Sequence, residues 1–142
     1  LRNPADIIAN ESRAIAYDNQ GQLLPYKEWR NELQKGVSYD STLPIGYGGV
    51  LYPPHCFHTD VCNAELYIAL APKADDLWFK AMSHLKGTLS RRASNPVQKP
   101  IPIANSQSVS LKSTNVKQDG NRLQWVAISQ HYRLEAFKPF LG

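Results

Sequence analysis

Cysteine is scarce in this chain: its 142 residues include only Cys56 and Cys62. Two thiols do not make a disulfide framework, which excludes the small secreted scaffolds that depend on one and sets a reducing, cytoplasmic compartment as the expectation. Long apolar runs are missing too. No window approaches the ~20 apolar residues of a membrane span, and no charged start followed by an apolar stretch marks a signal peptide, so no transmembrane segment is expected. A block of one charge is the third absence. The net charge is only +4 and the basic residues are scattered apart from Arg91-Arg92. A nucleic-acid binder gathers Lys and Arg on one face with aromatics between them, so nucleic acid is not an expected partner. Anionic small molecules stay open, because positive potential raises their local concentration.

What is there suits a folded chain. Hydrophobic residues make up 42% and charged residues 20%, close to an ordinary globular composition, and the length can bury one core without help from metal or disulfides. The expectation is a single domain over residues 1–142. The sequence opens Leu1-Arg2-Asn3 with no initiator methionine, and Leu1 is read as internal to a longer chain.

The pattern along the chain mixes strands and helices. Ile7 to about Tyr17 reads as a strand interrupted by polar residues, closed by a turn at Asn19-Gln20-Gly21. Tyr26 and Trp29 have the i, i+3 spacing of one face of a short helix, or belong to an extended arm. Val50-Leu51-Tyr52 reads as a strand that Pro53-Pro54 ends, since proline has no amide hydrogen for the ladder. Gly46, Gly48 and Gly49 ahead of it predict close approach of a substrate or a neighbouring segment. Two helices broken at Pro72 follow; Leu77, Ala81 and Leu85 form the buried stripe of the second, with Trp78 and Met82 beside it and Gly87 as its stop. Residues 88–121 read as a long polar loop. A last helix capped by Asn121 follows, with Leu123, Val126 or Ala127, and Tyr132 or Leu134 on its buried side.

Two constellations can carry chemistry. His55, Cys56, His58, Asp60 and Cys62 crowd one short stretch. A structural zinc site needs two ligand pairs separated by a loop that can wrap a tetrahedron, and these residues are too close together for that. The simpler reading buries Cys62 on the following helix, leaves Cys56 partly exposed, and keeps His58 or His55 as a single ligand to a metal held mainly by other residues. The second constellation is Asp75-Asp76 at a helix start, where carboxylates cap free amides and meet the positive end of the helix dipole. Asp75 is expected to cap, and Asp76 to project into a cleft and accept a proton.

The segments "LPYKEW", "GYGGVLYPP", "LAPKADDLWFKAM" and "SVSLKSTNV...GNRLQ", in this order and spacing, resemble the C-terminal half of a bacterial group of glycosyltransferases with a GT-A-like, nucleotide-sugar-binding fold. The resemblance covers nearly the whole chain and is most specific at "GGVLYPP" and "ADDLW". It implies an α/β fold, a partial GT-A-like mixed sheet with flanking helices, whose N-terminal nucleotide-binding half is absent here. It also implies transfer of a sugar from a nucleoside-diphosphate sugar to a glycan acceptor hydroxyl in cell-surface glycan synthesis, with a divalent cation, manganese or magnesium, at the donor. Asp76, with Asp75, takes the general-base role; the transfer implied is inverting or retaining, and an inverting single displacement fits one positioned carboxylate better. Gly48, Gly49, Tyr52 and Trp78 are the expected substrate contacts, and His58 is the position near the metal that matches the family.

The chain departs from the family where His55-Cys56-Phe57 stand and at Asn121-Arg122. Without a donor half the chain is expected to be incomplete as an enzyme and to self-associate as a homo-oligomer through Val50-Leu51-Tyr52. A non-catalytic carbohydrate- or partner-binding module is the alternative.

Overall fold

A computed structural model describes residues 4–30, 35–98, 101, 103 and 113–138. The fold is mixed α/β, with a mixed sheet and several helices. The long first strand expected from the sequence is two short ones, β1 (Ile7–Ala9) and β2 (Ser12–Ala14), in different sheets. The chain changes sheet at Asn10-Glu11, where the Asn10 amide donates to Gly49 O and Glu11 O accepts from the Ile45 amide, each at 3.0 Å.

The remaining strands are β3 (Ser38–Tyr39), β4 (Thr42–Pro44), β5 (Val50–Leu51) and β6 (Ser90–Arg92). One sheet has the order β3-β6-β1-β5, and β2 pairs antiparallel with β4 in the other. β1 runs parallel to β6, with Ile7 opposite Ser90, and antiparallel to β5, with Ile8 opposite Leu51.

β6 corrects the reading of residues 88–121 as loop. Ser-Arg-Arg has no apolar alternation to announce a strand, yet it is an inner strand. Its Arg91 is buried because Asp6 lies 3.5 Å away and is itself held by the Ser38 hydroxyl, which donates to Asp6 Oδ2 at 2.6 Å. A paired, hydrogen-bonded charge can be buried where a lone one would be expelled. Residues 113–117 form a turn of π-helix, and 104–112, with the start of "SVSLKSTNV", lie outside the described residues.

The helices follow their punctuation. α1 (Ala64–Leu70) is capped by Asn63, whose side chain accepts from the Leu66 amide, and it ends just before Pro72. α2 (Asp75–Lys86) ends at Gly87, which adopts φ 81 and donates to His84 O while Thr88 donates to Ser83 O. That pair satisfies carbonyls the last turn leaves free, and only glycine takes the left-handed conformation without strain. Leu77, Trp78, Ala81 and Met82 bury the face predicted for α2 and pack with Ile15, Trp29 and Leu43. Each such side chain contributes about 1.5–3 kcal/mol by leaving water.

α3 (Gly120–Tyr132) presents a face that only partly matches the expected one: Tyr132 and Leu134 pack half-buried against the core, but Trp125 and Ile128 are its buried residues and Leu123 is 57% exposed. Apolar residues surround this helix, so its register is chosen by its partners, Phe137 stacked on Trp125 and the Tyr17 hydroxyl that accepts from Trp125 Nε1. Its cap residue is Asp119 instead of Asn121. No helix among the described residues is long and apolar enough to cross a membrane.

Candidate active site around Asp76

Tyr47 and its glycine neighbours set the site. Residues Gly46–Gly48 are a 3-10 turn between β4 and β5 instead of the start of a strand, and each glycine is there for its own reason. A Cβ on Gly46 would lie 2.8 Å from Asp76 Oδ1, and one on Gly48 would lie 2.7 Å from Glu11 Cγ. Gly49 has open space but φ +93, a conformation L side chains rarely adopt. The close approach expected of this run is thus an approach of neighbouring segments.

Asp76 is the neighbour of Gly46. From the first turn of α2 its Oδ1 accepts the Gly46 amide at 2.9 Å, bracing the helix against the turn. Neither aspartate caps α2 through its side chain: the cap position is Ala74, with no side-chain bond, so the capping role expected of Asp75 is not seen. Asp75 is exposed and Asp76 is partly buried. Burial, then the adjacent Asp75 charge, raises the Asp76 carboxyl to about 6 against the lowering pull of the Gly46 amide.

Aromatic rings surround this carboxyl. Tyr52 is half-buried, its ring 5.1 Å from Phe57 and 5.6 Å from Phe79; burial first, then Asp76 and Asp75, push its phenol up. Tyr26 is raised by burial and, to a lesser degree, by Asp76 and Tyr47, while the Arg13 guanidinium 4.5 Å from its ring centroid lowers it. Tyr47 is the aromatic left facing water, at 62% exposure. Its only signal in the sequence is its place between Gly46 and Gly48.

The other expected site residues stand elsewhere. Trp78 is 2% exposed, its Nε1 donating to Val61 O at 3.0 Å, so its ring belongs to the core and presents no face to a substrate. His58 caps the 3-10 turn Thr59–Cys62: its Nδ1 accepts from the Asp60 amide at 3.2 Å. Among the described residues no group of three or more His, Cys, Asp or Glu side chains is placed to hold a metal ion. The two thiols reverse the expected order, Cys56 being buried and Cys62 exposed. Residues 59–62 form a separate turn ahead of α1 instead of its first turn, and this carries Cys62 outward.

A cavity of about 230 Å³ lies among Tyr17, Leu23, Val126, Ser129, Leu134 and Ala136, and it contains neither aspartate. The candidate site is Asp76, a carboxyl raised to about 6 and bonded to the turn that carries the exposed Tyr47. No protein-family model, curated protein or solved structure matches the chain.

Proposed function

We propose that this chain is the acceptor-side part of a GT-A-like glycosyltransferase, and that Asp76 is the general base that deprotonates the attacking hydroxyl. The observation that carries the reading is the Asp76 carboxyl, partly buried, fixed by the Gly46 amide and raised to about 6. A base with that affinity is largely ionised at neutral pH yet takes a proton more readily than an ordinary aspartate. The amide on Oδ1 fixes the orientation of the carboxyl and leaves Oδ2 for the substrate. As the acceptor oxygen attacks the anomeric carbon, its proton passes to Asp76 and the nucleoside diphosphate departs. Tyr47, exposed beside the turn, offers a ring face for an acceptor sugar, while Tyr52 shapes the wall.

The resemblance brings a divalent cation with it. The described residues offer no cluster to hold one, and the step above is derived without it. In the full-length protein, Asp76→Asn should lower transfer, followed as nucleoside-diphosphate release from nucleotide hexoses, by about 10²–10⁴-fold. The kcat/KM profile of the parent should rise with pH through a midpoint near 6. Transfer by Asp76→Asn equal to that of the parent would exclude the assignment. A carbohydrate-binding module without transfer is the second reading, favoured by the exposed Tyr47 ring; it predicts sugar binding that Tyr47→Ala abolishes and Asp76→Asn leaves intact.

A further inference from the structure

Lys80 is buried without a hydrogen-bond partner. It lies on α2 at 1% exposure, and no group among the described residues bonds its Nζ. An amine in that position is costly when charged, and such a group calls for an explanation. A ring faces it: Nζ lies 5.4 Å from the centroid of Phe137.

Phe137 belongs to a short segment that crosses back over the fold. α3 stops at Arg133, a non-glycine residue at φ 54, and the chain doubles back there with the Leu134 amide donating to Ser129 O at 2.9 Å. From Leu134 to Lys138 the segment has no regular secondary structure; Leu134 packs half-buried against the core at its start, Phe137 is inserted at 5% exposure, and Glu135, Ala136 and Lys138 are exposed. Its ring fills a box made by three elements: His84 of α2 at 4.9 Å edge-on, Trp125 of α3 at 5.9 Å stacked, and Tyr17 beyond β2 at 6.1 Å edge-on. The cavity of about 230 Å³ lies against the segment's Leu134 and Ala136, opposite Tyr17 and Leu23. Phe137 is therefore the deepest anchor of the strap beyond Leu134, and its ring faces the Lys80 amine.

We propose that residues 134–138 form a proton-coupled latch: Phe137 seats over the buried Lys80 amine, and withdrawal of the ring lets water and a proton reach it. The coupling follows from burial. With the latch shut the Lys80 amine is held down to about 7 by burial, only partly offset by the Asp40 charge, and His84 is lowered by burial and by Lys80. With the latch open both return toward their ordinary values. The closed form binds the proton less tightly, so falling pH favours opening. Lys80 exerts this effect between about pH 10 and 7, and His84 extends it below its ordinary range near 6.5. Of the other groups about the amine, the Tyr17 phenol is raised by burial, the Asp40 charge favours the protonated amine and so moderates the effect, and Glu135 and Lys138 of the strap are exposed.

The test is a fluorine label on the Phe137 ring, read by NMR in the whole protein from pH 6.5 to 10, with Phe137→Ala supplying the unlatched reference for hydrogen exchange in 134–138. The open-to-closed ratio should rise by roughly tenfold per pH unit as pH falls from about 9.5 to 8, the limit for one coupled proton. Lys80→Met, which fills the same space without an ionisable group, should flatten this dependence above pH 7 and keep the fold. Direct titration of the Lys80 amine by ε-carbon chemical shift should give a midpoint well below that of a free lysine. A ring signal that ignores pH, or a Lys80→Met variant with the slope of the parent, overturns the proposal.

Discussion

The Gly46 amide and the Asp76 carboxylate are joined by a 2.9 Å hydrogen bond, which places the proton-accepting group of α2 against a turn thirty residues earlier in the chain. The turn positions the carboxyl and also limits what can replace its glycines. Gly46→Ala should push the Asp76 carboxylate aside and raise its titration midpoint above 6, since the amide is what holds it down. Gly48→Ala meets Glu11 Cβ at 2.9 Å and its backbone nitrogen at 3.3 Å, so it should cost about 1–3 kcal/mol in chemical denaturation. Gly49→Ala should lose about 1–3 kcal/mol in chemical denaturation through its backbone alone, since φ 93 with ψ 129 is a combination that side-chain-bearing residues avoid.

Asp76 also sets a pH dependence of stability. Its folded value lies above the ordinary carboxylate value, so the folded state holds the proton more tightly, and stability is lost as pH rises from about 4 to about 6. Asp76→Asn, which can still accept the Gly46 amide through its carbonyl, removes that loss. Urea melts should find the variant's advantage over the parent growing across this window and level above it. An advantage that shrinks as pH rises would contradict the sign.

The thiols give a direct check on the turn after β5. Cys62 is exposed and should react with a disulfide reagent within minutes under native conditions. Cys56 is buried and its thiol is pushed up by that burial, so it should react only on unfolding. Equal rates for the two would mean that the order seen here is wrong.

β5 ends its sheet, and Leu51 on it is 62% exposed. An apolar edge strand is a template for pairing with another chain, and charge on the edge discourages that. Self-association is the expected result in light scattering at high protein concentration. Leu51→Lys should shift the population toward monomer with a fold unchanged by circular dichroism.

Residues that act through local chemistry were legible from the sequence. Pro72 and Gly87 bound α2 as their backbone limits require, Leu77 and Ala81 keep their place on its buried face, and Asp18 and Gly21 close the turn expected at 19–21, with the Gln20 and Gln22 amides donating to Asp18 Oδ1. The mixed α/β class followed from the same signals. Choices between partners were left to the tertiary structure. Ser90–Arg92 became an inner strand because Asp6 supplies a charge for Arg91 from far along the chain, Trp125 turned inward on α3 because Phe137 and Tyr17 meet it there, and Trp78 went to the core because Val61 accepts its indole. The sequence singled out Asp76 by residue type and position. Its raised proton affinity came from burial, the Asp75 charge and the opposing Gly46 amide, because the energy of a charge depends on everything that surrounds it in space, and most of that is distant in sequence.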